Sequence, residues 1–378
     1  MKIRKSSIYP IILSSVFLIS SCHIQNQAYQ PYQESPKEVQ RQSVVVESLY
    51  ALLLSSTNSS LNLLDLADNR IKFTVKTNEN SSRMAVSPSK KYIMITNKGD
   101  GSISTFFKED NSTISELGTV GFGSPPTDII FNNQGTQAFV VYEDESRISV
   151  LDVLERARPV ISKTLEIKDI DPKVKLQPYK IAINKDDNTL YVIDKANASL
   201  FIYKTDESKN FFQDKKFSLA SEGGKVSPES IICNEDKLYI SDSLNSSIII
   251  FNLTSNTLET RISLLDKTVS GDILPDKIVI NKDKTKLYVI NKGSSTVAVI
   301  DLKTNALIKH IALSTGNITA AYQPTDISIS NTGKLIYVTN SAGRELSIIS
   351  GDEDKLDRNI GTTESSGLQE PFSAINLL

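Results

Sequence analysis

Pro324-Thr325-Asp326-Ile327-Ser328-Ile329, then the polar stretch Asn331-Thr332-Gly333, then Leu335-Ile336-Tyr337-Val338-Thr339-Asn340, is the passage that decides how this chain folds. Apolar residues alternate in the first segment, which is the period of a β-strand. The middle stretch supplies turn residues, and the last segment is a second strand ending in Asn. The same sentence recurs at intervals of roughly fifty residues. Copies begin at Pro275, Pro228, Pro178 and Pro126, and a weaker one begins near Ser81. The first copy runs through Leu52-Leu53-Leu54 to Leu63-Leu64-Asp65. Seven units emerge, each of roughly 48 residues.

Every unit holds four short apolar segments. After the Pro-led strand and the Leu-Tyr-Val-like strand come a third, such as Val297-Ala298-Val299-Ile300-Asp301, and a fourth that follows Thr304-Asn305. Four antiparallel strands repeated seven times predict an all-β fold, a seven-bladed β-propeller, because blades stacked around an axis bury faces that a lone sheet would expose. A parallel β-helix would have shorter coils and no paired hairpin signals. Pro371-Phe372-Ser373-Ala374-Ile375-Asn376-Leu377 repeats the inner-strand pattern and no outer strands follow it, while the first unit has a poor inner strand around Ser43 to Val46. The C-terminal strand is therefore expected to complete the first blade and close the ring.

Composition narrows the function classes. The net charge of −2 lacks the basic excess of a nucleic-acid binder, so no nucleic acid is expected as partner. Two Cys, two His and no Trp exclude a disulfide framework, a thiolate zinc cluster and Cys-x-x-Cys-His haem attachment. Lys2, Arg4 and Lys5 precede an apolar stretch from Ile8 to Ile19, too short to span a bilayer, which reads as a secretory leader. The junction Ile19-Ser20-Ser21-Cys22 resembles a bacterial lipobox, which implies acylation of Cys22. The expected organisation is a lipoprotein signal peptide over 1–21, a Gln-, Pro- and Ser-rich flexible tether over 22–42, and the propeller over 43–378. Such a chain would sit lipid-anchored in the cell envelope, on the outer membrane if the cell has one, since His23 stands where an inner-membrane retention Asp would be.

Tyr337-Val338-Thr339-Asn340 resembles the eponymous tetrapeptide of the YVTN-type β-propeller repeat family, with Leu190 to Asp194 and Leu287 to Asn291 as degenerate copies. The resemblance implies relatives as diverse as surface-layer proteins, periplasmic binding propellers, lactonase-like propellers and haem-bearing nitrite reductase propellers. Fold does not choose among these. No cofactor or metal is expected: His310 lies on an outer strand, Cys233 takes an inner-strand place filled by Ile elsewhere, and Asp352-Glu353-Asp354 lacks calcium-loop spacing.

The expected function is a non-enzymatic, membrane-anchored propeller that binds a protein, peptide or envelope polymer, with a lactonase-like hydrolase using channel carboxylates as the alternative. The site is expected on the face where inner strands begin. Residues two after each leading Pro should gather at the channel mouth, namely Arg83, Asp128, Lys180, Ser230, Lys277, Asp326 and Ser373. Asn97, Asp194, Asp242, Asn291 and Asn340, at the ends of second strands, should form a wider polar ring on the same side.

Overall fold

The computed structural model describes residues 50–110, 113–222, 224–269, 271–314, 322–330, 332–361 and 374–377. The leader, the tether, Cys22 and Ser373 lie outside the described residues. Among the described residues no helix is long and apolar enough to cross a membrane.

Among the described residues, twenty-eight strands form seven four-stranded antiparallel sheets. Six blades use consecutive strands, starting with inner strands Ser81–Val86, Pro126–Phe131, Pro178–Ile183, Pro228–Asn234, Pro275–Ile280 and Pro324–Ile329. We number these blades 2 to 7. Blade 1 contains Tyr50–Ser55, Ser60–Asp65 and Arg70–Lys76, and its innermost strand is the C-terminal Ala374–Leu377. Ala51 faces Leu377 and Leu54 faces Ala374 in that pairing, so the chain's last strand closes the ring.

The reason the units stack is visible in the second strands, which are buried on both faces. In blade 4, Leu190 and Val192 pack toward blade 3 with Phe139 and Val141, whereas Tyr191 and Ile193 pack toward blade 5 with Leu238 and Ile240. Successive side chains of a strand point to opposite faces, so each blade feeds two seams. Apolar clusters of this kind fill all seven seams. Each fully buried Leu or Ile contributes about 1.5–3 kcal/mol. Outer strands face solvent instead, as in Arg70–Lys76, where Arg70, Lys72, Thr74 and Lys76 are exposed and the residues between them half-buried.

Within a blade, loop and hairpin meet at close range. An added Cβ at Gly293, in the hairpin of blade 6, would press into the carbonyl oxygen of Asp272 in the loop entering the same blade. We expect Gly293→Ala to lower stability by about 1–3 kcal/mol, measured as a shifted urea midpoint at unchanged slope.

One irregularity recurs and shapes the channel. In blades 2 to 7 the register between inner and second strands shifts immediately after the first residue: between Ser81 and Arg83, Pro126 and Asp128, Pro178 and Lys180, and equivalently in the next three. A β-bulge sets two residues against one and re-aims their side chains.

Candidate active site in the central channel

The bulges bring charged residues of five neighbouring blades into one cavity of about 360 Å³ on the propeller axis. Arg83, Asp128, Lys180, Glu229, Asp276 and Lys277 line it, together with Ser230. From this charged end the lining follows the inner strands through Met84, Ile130, Ile181 and Ile278 to the turn residues Ser87-Pro88 and Asn132-Asn133. The cavity therefore extends away from the face where inner strands begin, and the charged ring forms one end of it.

Most of these charges are paired across blade boundaries. Lys180 Nζ of blade 4 lies 3.6 Å from Asp128 Oδ1 of blade 3, and the backbone N–H of Ile181 donates to Asp128 Oδ2 at 3.2 Å. Lys277 of blade 6 pairs with Asp326 of blade 7, a carboxylate only 1% exposed. Lys292, reaching over from its hairpin, lies 2.6 Å from Asp276 Oδ2. Glu229 accepts from Lys195 at 2.7 Å and from the hydroxyls of Ser227 and Ser243. The ring of Tyr179 carries the ammonium of Lys180 at 4.8 Å and that of Lys195 at 4.3 Å from its centroid.

Arg83 is the exception. Its guanidinium makes no hydrogen bond or ion pair among the described residues, although it faces the cavity. Burial works against its charge, but the carboxylates of Asp276 and Asp128 outweigh burial and hold it protonated more firmly than an ordinary arginine. Burial pushes the Lys180 amine down to about 7, assisted by the positive field of Arg83 and resisted by Asp128 and Asp276. Burial opposes ionisation of Asp276 too, yet Lys292 and Arg83 keep its carboxyl below the usual range. Tyr179 is raised by burial to about 12 and stays a phenol. The site thus holds a fixed cation with free donors, a neutral-capable amine and carboxylates within one enclosure. Among the described residues no three His, Cys, Asp or Glu side chains come together as a metal-holding group.

Of the residues picked out from sequence, Arg83, Asp128, Lys180, Ser230 and Lys277 line the cavity, and Asp326 touches it through Lys277. Asn97, Asp194, Asp242, Asn291 and Asn340 are at most 1% exposed and are built into the blades. Asp194 accepts from the Gln177 N–H and from Asn197 Nδ2, and Asp242 from Ser227, Asn245 and Arg261. Asn97 bonds Ser81, Ser102 and Ser104, and Asn340 bonds Ser347. Asn291 donates to Thr296 and lies beside His310, whose Nε2 is 2.9 Å from the Leu264 carbonyl oxygen. Tyr179, Glu229 and Asp276 went unnoticed in the sequence because strict alternation turns the residue after each Pro away from the channel. The bulge undoes that alternation. Cys233 has its thiol pushed up to about 11 by burial.

A family model described as Lactonase, 7-bladed beta-propeller matches residues 79–223 and 230–368. No curated relative matches the chain in sequence. Among solved structures, a Lactobacillus plantarum protein superposes with a TM-score of 0.72 at 15% identity, covering 88% of this chain and 100% of its own. The Pseudomonas aeruginosa periplasmic gluconolactonase does so with 0.66 at 14%, covering 87% and 98%. Apo AztD from Citrobacter koseri does so with 0.62 at 13%, covering 88% and 98%. At these identities the superpositions carry the fold alone.

These matches correct four expectations. The family is the lactonase one, not the YVTN-repeat one: Tyr337, Val338 and Asn340 are at most 2% exposed, so that tetrapeptide is what blade packing and the Asn340–Ser347 bond require of any such strand. The non-catalytic reading gives way to an enzymatic one, since the family is named for an enzyme and the cavity adds the carboxylates of Glu229 and Asp276 to the expected charges. A protein, peptide or envelope polymer as the bound partner falls with it. The lipid anchor on Cys22 and the outer-membrane address find no support in the comparisons either, where the gluconolactonase neighbour is described as periplasmic, and Cys22 lies outside the described residues.

Proposed function

The chain belongs to the lactonase family of seven-bladed β-propellers, and from that premise we propose that it hydrolyses a lactone at the charged end of the channel cavity. The supporting observation is the combination of the Arg83 guanidinium, unpartnered among the described residues, with the buried Lys180 amine beside Asp128. Ring opening needs a base to take a proton from water, a donor to hold the oxyanion that forms on the carbonyl, and an acid for the departing ring oxygen. Lys180, neutral above about pH 7, takes the water proton. The water oxygen adds to the carbonyl carbon, and the carbonyl electrons move to an oxyanion that Arg83 holds with two N–H donors. As the oxyanion collapses, the ring C–O bond breaks and the Lys180 ammonium returns its proton to the alkoxide. The product is a hydroxy acid. Asp128 keeps the ammonium oriented between the two transfers.

The gluconolactonase neighbour makes a sugar lactone the first substrate to test. The basic-apolar leader over 1–21 fits export, and a periplasmic address follows the same neighbour. Purified protein should accelerate opening of glucono-δ-lactone above its spontaneous rate, read as acid release at constant pH. Because the base must be neutral, kcat should rise tenfold per pH unit below about pH 7 and level off above it. A rate that falls through that interval would assign the base elsewhere.

A further inference from the structure

The same enclosure suits a covalent reaction that lactone hydrolysis does not use. We propose that Lys180 is also a carbonyl-reactive site, forming an imine with small α-oxo acids whose carboxylate is held by Arg83. Three features of the cavity carry this. Lys180 is only 6% exposed, yet its residue lines a cavity large enough for a small acid. Its neighbours Arg83 and Lys277 are cations, and a lysine beside other cations in a desolvated pocket is the arrangement that keeps an amine nucleophilic. Among the described residues the guanidinium of Arg83 has no hydrogen-bond or ion-pair partner although it lines the cavity, and a carboxylate is the group its fork fits bidentately.

The chemistry balances without an oxidant or reductant. The amine nitrogen adds to the oxo carbon and one N–H proton passes to the oxygen, giving a carbinolamine. The oxygen then leaves as water with the second N–H proton, and the nitrogen lone pair closes the C=N bond. Asp128, 3.6 Å from Nζ, is placed to relay both protons. A lactone loses a C–O bond to water at this site, whereas an α-oxo acid would be captured by the lysine itself. The two reactions share Lys180, Arg83 and Asp128 but differ in the bond that is made, so trapping and turnover are read separately and failure of one leaves the other standing.

The test is reductive trapping of the full chain with glyoxylate and cyanoborohydride near pH 7.5, read by peptide-resolved mass spectrometry. At limiting glyoxylate the adduct should concentrate on Lys180 over Lys163 and Lys168, which stand exposed on and beside an outer strand. Lys180→Arg should lose that adduct. In Arg83→Gln, glyoxylate trapping at Lys180 should fall at least roughly tenfold, the loss expected for one charge-assisted pair, while trapping of propanal, which has no carboxylate, persists. Labelling that follows exposure and leaves Lys180 bare would overturn the proposal, and wild type alone decides this should a variant fail to fold. An unchanged glyoxylate-to-propanal ratio in Arg83→Gln would overturn the role of the guanidinium. Lactone turnover, measured separately, reports on the other reading.

Discussion

A chain cut before Pro371 is expected to emerge aggregated or protease-sensitive instead of as a slightly weakened propeller. The lost strand Ala374–Leu377 pairs with Ala51 to Leu54, residues that are fully buried. Removing it strips hydrogen-bond partners from that edge, and each backbone group left unpaired in such surroundings costs about 1–3 kcal/mol. Two seams loosen together, since Leu52 and Leu54 pack toward blade 2 with Met84 and Ile93 while Ala51 and Leu53 pack toward blade 7 with Tyr337 and Leu346. The sum reaches the whole margin of about 5–15 kcal/mol that holds a domain folded. Pulse proteolysis and thermal melts would read the effect, and a truncated chain melting with wild type would refute it. A rescue separates closure from mere loss of residues. Leu377 stands opposite Ala51, so joining Leu378 to Tyr50 by a turn of about 2–5 residues would make the closing pair an ordinary hairpin. That permuted chain, with new termini in an outer loop, should recover a cooperative melt.

The architecture was readable because it is written in periodicities. Pro324 to Asn340 states two strands and a turn, and six further copies leave little but a ring of blades. Ring closure was readable from a deficit at one end matched by an excess at the other. The site was only half legible, for two physical reasons. Alternation assigns one face to each residue, and the bulge after each leading residue breaks alternation where the channel begins, so Asp276 and Glu229 were missed while Lys180 and Asp128 were found. A polar residue ending a strand reads the same whether it faces a ligand or its own turn. Asp194 and Asn97 face their turns, held by Gln177 and Asn197 in one case and by three serines in the other. The tetrapeptide Tyr337 to Asn340 misled for the same reason, because what looked like a family mark is a packing requirement.

The channel charges divide into those that hold register and those left for a substrate, and substitution should expose the division. Lys180→Met removes the base and should lower kcat for lactone opening by roughly 10²–10⁴. Arg83→Gln removes the oxyanion's donor and should cost roughly 10²–10³ in kcat. Neither should unfold the protein: among the described residues Arg83 relinquishes no ion pair, and Asp128 keeps the Ile181 N–H when Lys180 is gone. Because both act on one tetrahedral transition state, the double variant should be little worse than the more damaged single one. Lys277→Met should behave in the opposite way. It withdraws the Lys277 cation from Asp326, 1% exposed, at a cost of order 3 kcal/mol in stability, while the plateau kcat per folded molecule, above the Lys180 titration, stays near wild type. The decisive readout is the pairing of kcat with melting temperature across the three variants. Should Arg83→Gln lose stability and keep its rate while Lys277→Met does the reverse, the roles assigned here are exchanged, and Arg83 is not the cation that meets the lactone.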